Sequence, residues 1–237
     1  MTFARALPLF VATASMSAVA HANVPIVVET GVGKKSVMKL CSDASEQLAN
    51  GDVTGAKRKV DRALQIDPKL WPALYLRAEI YAGEGKYNLA IEDCNEALRQ
   101  NRYFVDAALL RARINARFGK YAEASKEFNS LVAMRPATVI LSRVLSDRAW
   151  FQATCPNPSF RNGQQAVKDA KAACSIVGWK DEDMIDTLAA AYAEVGDFDS
   201  AVRYAEQALA IKDITPTVAK RIQRHLDLFR RHQPIRT

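Results

Sequence analysis

The chain has 237 residues, 49% of them apolar and 25% charged, with only 10 glycines and 9 prolines. That balance excludes a disordered or fibrous chain and leaves ample length for one packed domain or a short repeat array. Its 33 Lys and Arg against 26 Asp and Glu give a net charge of +7. The surplus suits an acidic protein, a nucleic acid or an anionic membrane surface, although acidic residues are interspersed nearly everywhere.

The N-terminal stretch reads as a targeting segment. Arg5 supplies the positive start, Ala6 to Ala20 is apolar and uncharged, and Ala20-His21-Ala22 is a small-x-small site. Residues 1–22 are therefore expected to be a secretory signal peptide, cut between Ala22 and Asn23, which places the mature protein in the periplasm or outside the cell. A retained membrane anchor is the alternative, but the run is short of the roughly 20 residues a span needs. No later stretch approaches that length. Residues 23–35 read as an extended leader.

From there a fixed period takes over. Gly51-Asp52-Val53, Gly85-Lys86-Tyr87 and Gly119-Lys120-Tyr121 recur every 34 residues, and Gly196-Asp197-Phe198 repeats the pattern out of register. Each is a turn between two segments whose apolar residues fall at helical spacing. Ala44, Ala78 and Ala112 hold one position in the first segments, and Ala56, Ala90 and Ala124 hold one in the second. Pro68 and Pro136 end repeats, since Pro cannot continue a helix.

These residues resemble the tetratricopeptide repeat: a small residue mid-way along the first helix, an aromatic at the turn, an Ala early in the second helix and a closing Pro. The resemblance implies an all-α fold, a right-handed α-solenoid of helix-turn-helix repeats in residues 36–237. Its repeats span about 37–70, 71–104 and 105–138, with an atypical one at 139–180, another at 182–214 and a capping helix at 215–232. Departures exist, because the family's usual Trp position is Leu40, Leu74 and Ala108 and Arg102 replaces the second closing Pro. The atypical repeat contains the long turn from Thr154 to Gly163. Ala149 to Ala208, with Cys155-Pro156, Gly178-Trp179 and Asp186-Thr187-Leu188, is similar to a block shared by bacterial exported proteins of this repeat class.

Such repeats imply a protein or peptide partner bound along the first helices, with no catalysis, no small-molecule substrate and no cofactor. The expected groove is lined by Tyr75, Glu79, Leu109, Arg113, Arg117 and Asp186, with Cys41, Ser45, Leu48 and Glu194 beside them. Tyr next to Arg suits a peptide with an acidic group, since Arg grips carboxylates bidentately. The Lys/Asn clamp with which related co-chaperones hold chaperone tails is not matched, because Cys41, Ser45 and Leu76 stand at its leading positions. The rival reading is a polyanion binder, nucleic acid or anionic membrane, held by the basic face of the last helix: Arg221, Arg224, Arg230 and Arg231 beside Lys220. The sequence has no phosphate-binding Gly loop, nucleophile motif or metal-spaced His/Cys cluster.

Four cysteines would meet an oxidising compartment. Cys155 lies near its turn and Cys174 eleven residues beyond Gly163, roughly 16 Å up the next helix, which argues against a bridge unless the long loop folds back. Buried free thiols are the expectation. N-terminal sequencing of protein extracted from the envelope is expected to start at Asn23; a protein starting at Met1 would remove the export assignment.

Overall fold

The computed structural model describes residues 32–237, with side chains from Lys35 onward. Among the described residues there are eleven α-helices and no strands. The helices are α1 (Val32–Ala49), α2 (Val53–Ile66), α3 (Trp71–Gly83), α4 (Tyr87–Gln100), α5 (Val105–Arg117), α6 (Tyr121–Ala133), α7 (Thr138–Thr154), α8 (Gly163–Ile176), α9 (Glu182–Glu194), α10 (Phe198–Leu209) and α11 (Pro216–Phe229). A single 3-10 turn, Pro158–Phe160, sits in the long loop between α7 and α8. The described residues form two compact units, one running up to Leu110 and the other from Arg111 to Thr237. In the first, α1 packs on α2 and α3 on α4; in the second, α7 packs on α8 and α9, and α10 on α9 and α11. This is the all-α helical-repeat solenoid that the 34-residue period predicts.

The turns explain why the period is legible. Gly51, Gly85, Gly119 and Gly196 all have φ between 74° and 83°. This left-handed conformation costs Gly nothing, whereas a Cβ would be strained. It lets the chain close each first helix with paired backbone bonds. Lys86 N–H donates to Tyr81 O at 2.8 Å and Gly85 N–H to Ala82 O at 3.1 Å, and the same pattern recurs at the other three turns. These bonds satisfy carbonyls that a helix end would otherwise leave unpaired. The aspartates after Gly51 and Gly196 then cap the second helices: Asp52 accepts from Gly55 N–H and Asp197 from Ser200 N–H. Asp181 caps α9 by accepting from Met184 N–H.

Packing rests on alanine. Ala44, Ala56, Ala78, Ala90, Ala112 and Ala124 are fully buried, as their repeated positions predict. A second periodic device joins the two helices of a hairpin. Asp43 meets Lys59 at 3.1 Å, Arg77 grips Asp93 bidentately at 2.7 and 2.8 Å, and Arg111 pairs with Glu127. The partners lie 16 residues apart each time, at positions one repeat apart. In α7 and α8 the longer loop stretches the spacing to 21 for Arg148 and Asp169, again bidentate at 2.7 and 3.0 Å.

Two boundaries differ from expectation. The leader was expected to be extended through Lys35, yet α1 begins at Val32, and Val37, Cys41 and Ala44 form the buried stripe along it. The proposed extended part before that, like the signal segment, lies outside the described residues. Cys41, Cys94, Cys155 and Cys174 are buried thiols, none of them in a disulfide. Burial pushes the Cys41 thiol up to about 11 and Cys174 up to about 12, which keeps both protonated and unreactive.

Ala112→Leu is expected to destabilise the fold by about 1–3 kcal/mol, because the added carbons enter a contact with no free volume. An unchanged midpoint in urea melts would show that Ala112 is not a close-packing position.

Candidate functional site

The sequence-predicted lining falls into two sets. Tyr75, Glu79 and Leu109 belong to the first unit, and Arg113, Arg117 and Asp186 to the second. In the first, Tyr75 and Glu79 lie one turn apart on α3, and the Tyr75 hydroxyl donates to Glu79 Oε1 at 2.6 Å. The Tyr75 ring meets Phe104 edge-on at 5.0 Å, and Phe104 also meets Trp71 at 4.5 Å. Both α3 residues are half-buried and present one polar and one aromatic group on a first helix. Leu109 is different. At 1% exposure it is a core residue and has no surface to offer a partner.

Arg113 was placed in the lining as a guanidinium in need of an anion. The anion is internal: Arg113 Nε donates to Asp147 Oδ2 on α7 at 2.7 Å. These two residues are 34 apart, so the pair links equivalent positions of successive first helices. Arg117 is exposed in the last turn of α5, where a cation is favourable beside the helix carbonyls.

Asp186 departs furthest from the expected open groove. It is fully buried, because α11 lies over the face of α9 that carries it. Its Oδ2 sits 2.8 Å from His225 Nδ1, and the His225 ring lies 5.7 Å from that of Trp150 on α7. Asp186 Oδ1 has no hydrogen-bond partner among the described residues. Arg221, one turn before His225, turns inward to Asp183, which lies one turn before Asp186. Two carboxylates a turn apart on α9 thus face two nitrogen bases a turn apart on α11. That matched spacing was the available sequence signal, and assigning Arg221 to a solvent-facing side obscured it.

The basic cap is consequently smaller than the sequence suggests. Arg221 is an internal ion-pair partner, and Arg230 pairs with Glu206 at 2.8 Å. Arg224 and Arg231 are exposed, with Arg224 Nε donating to Lys220 O at 3.3 Å. Glu194, expected beside the groove, instead joins two cations, Arg161 at 2.9 Å and Arg236 at 2.8 Å. No group of three or more potential metal ligands occurs among the described residues, and none of their helices is long and apolar enough to cross a membrane.

Comparison with known proteins agrees with this geometry. Residues 72–103, α3 and α4 with their turn, match the tetratricopeptide repeat family. A tetratricopeptide repeat and J domain-containing co-chaperone of Cryptococcus neoformans var. grubii is 34% identical over 97 residues, which is 41% of this chain. The match spans only 19% of that protein's length. Among solved structures, a thermophilic tetratricopeptide-repeat protein of Thermus thermophilus superposes with a TM-score of 0.66 at 17% identity, over 81% of this chain and all of that one. The pilF protein of Pseudomonas aeruginosa gives 0.63 at 15% identity, over 83% of this chain and 89% of the other. At such identities these structures speak for the fold, and with the matched repeat they support the tetratricopeptide class.

Asp183 provides a pH test of the buried network. Burial outweighs the lowering by Arg221, and the nearby Asp181 and Glu182 add to it, so its carboxyl is pushed from 3.8 up to about 6. Between those values the folded chain holds a proton that the unfolded chain has lost. The contribution of Asp183 to stability is therefore full below pH 4 and falls as pH rises through 6. Asp183→Asn is expected to gain stability relative to the wild type between pH 4.5 and 6.5. A difference in urea midpoints that does not change with pH would show that Asp183 titrates normally.

Proposed function

We propose that the protein is a non-catalytic adaptor or scaffold of the bacterial cell envelope that binds a protein or peptide partner along its first helices. The observation that carries this reading is a contrast within the repeats. Ala44, Ala78 and Ala112 are the same residue and fully buried, whereas the neighbouring column is Ser45, Glu79, Arg113 and Asp147. A position held constant serves packing, and one that changes charge from repeat to repeat is not dictated by packing and can serve recognition. The tetratricopeptide match supports a binding role of this kind, and the envelope assignment rests on the N-terminal signal pattern.

An acidic partner is the companion proposal. A carboxylate approaching Arg113 must compete with Asp147, and Arg117 is the more exposed of the two arginines. The second reading, polyanion binding by α11, rests on Arg224 and Arg231, since Arg221 and Arg230 already have carboxylate partners. Loss of about a thousandfold in affinity over a few-fold rise in salt would be its signature.

Crosslinking and pull-down from the native envelope separate the two. Arg113→Ala with Arg117→Ala is expected to weaken capture by about 2 kcal/mol or more, the scale of a hot-spot truncation, with helicity retained by circular dichroism. Arg230→Ala with Arg231→Ala is expected to leave capture intact. The reverse pattern would replace the adaptor reading with the polyanion one.

A further inference from the structure

Residues 233–237 run beyond α11 and settle on the end of the face that α7 and α9 present. Their contacts are specific. Ile235 is 5% exposed. The Arg236 guanidinium donates to Ala153 O at 3.3 Å and pairs with Glu194 at 2.8 Å. Thr237 N–H donates to Thr154 O at 3.0 Å, and the two threonine hydroxyls are 3.0 Å apart.

These contacts complete a helix end. The last four carbonyls of α7 have no partner within the helix. Phe151 O accepts from Cys155 N–H and Gln152 O from Asn162 N–H, both local. Ala153 O and Thr154 O are served by residues 236 and 237, more than eighty positions away in the chain. Two carbonyls at a helix C-terminus, with the Glu194 carboxylate beside them, make a site that favours a cation and a backbone donor. An apolar contact at Ile235 lies next to it. The face therefore reads one short pattern: an apolar side chain, then arginine, then a backbone N–H.

We propose that this end of the α7–α9 face is a docking site for an extended peptide with an apolar residue followed by arginine, and that residues 233–237 occupy it in cis as a built-in competitor. The proposal rests on the reading that first-helix faces bind peptides, and it names the chemistry of one such site. The resident segment is held by one buried side chain, while Gln233, Arg236 and Thr237 remain exposed. It can therefore open locally without unfolding the helices beneath it. A partner with the same pattern meets the open fraction only, so its apparent affinity is reduced by that fraction.

The test uses the full chain and a fluorescent peptide with the sequence of residues 231–237. A released variant carries Ile235→Asp with Arg236→Glu; Arg236→Ala is a milder version. The peptide is expected to bind the released variant at least tenfold more tightly than the wild type, with Arg236→Ala between them. Binding to the wild type is expected to be weak but saturable. Adding Glu194→Gln to the released variant should remove most of the binding, and a peptide carrying the same two charge substitutions should not bind. Failure of the released variant to bind, equal binding of the altered peptide, or no uptake by the wild type at a hundred times the released variant's Kd would each overturn the proposal. Hydrogen exchange on the wild type needs no variant to fold. The Thr237 amide is expected to exchange at least tenfold faster than amides in the middle of α9, and equal protection would make the segment a fixed brace. A protein that captures envelope partners through Arg113 and Arg117 but fails these tests keeps its adaptor role and loses this site.

Discussion

Close contact between helices at alanine is the constraint on which the rest of the structure depends. Fully buried alanines recur along both helices of the hairpins, from Ala44 and Ala56 to Ala189 and Ala205. An alanine removes little apolar area from water, so each contributes modestly at about 25 cal/mol per Å². What it supplies is proximity, with backbones near enough for dense van der Waals contact. Larger side chains then fill the spaces between, as Phe128, Ile185 and Phe229 do. A core built this way leaves the other faces of each helix chemically free.

That freedom explains what was legible in the sequence. The left-handed glycines, the alanine columns and the two aspartate caps are local or periodic, so residue identity and spacing suffice to place them. The hairpin ion pairs were legible in principle, because Asp43 and Lys59, Arg77 and Asp93, and Arg111 and Glu127 share one spacing. They emerge only when both helices are read in the same register. Arg113 was placed in the groove by its helical position, while its partner Asp147 stands a full repeat away, beyond the reach of reading one hairpin at a time.

The misplacement of Asp186 has another cause. Spacing correctly assigns it to the face of a first helix, yet whether that face is open depends on where α11 crosses it. The crossing is set by nonlocal packing: Ile222, Leu226 and Phe229 bury one side of α11, and the inward turn of Arg221 and His225 follows from it. Amphipathic reading finds the apolar side of a final helix. It does not reveal that the rim of that side carries the partners of two buried carboxylates.

The hairpin ion pairs also bear on how like units avoid exchanging parts. In the first hairpin the acid is on the first helix and the base on the second, Asp43 with Lys59; in the second hairpin the order is reversed, Arg77 with Asp93. Were α1 to seek α4, two carboxylates would face each other, and were α3 to seek α2, two cations would. Chains of similar repeats are prone to such misassembly as they fold. The reversal sets the first hairpin apart from those that follow, since Arg111 and Glu127 keep the second hairpin's order, so the pairing of α1 with α2 is written into the charges before any partner is met.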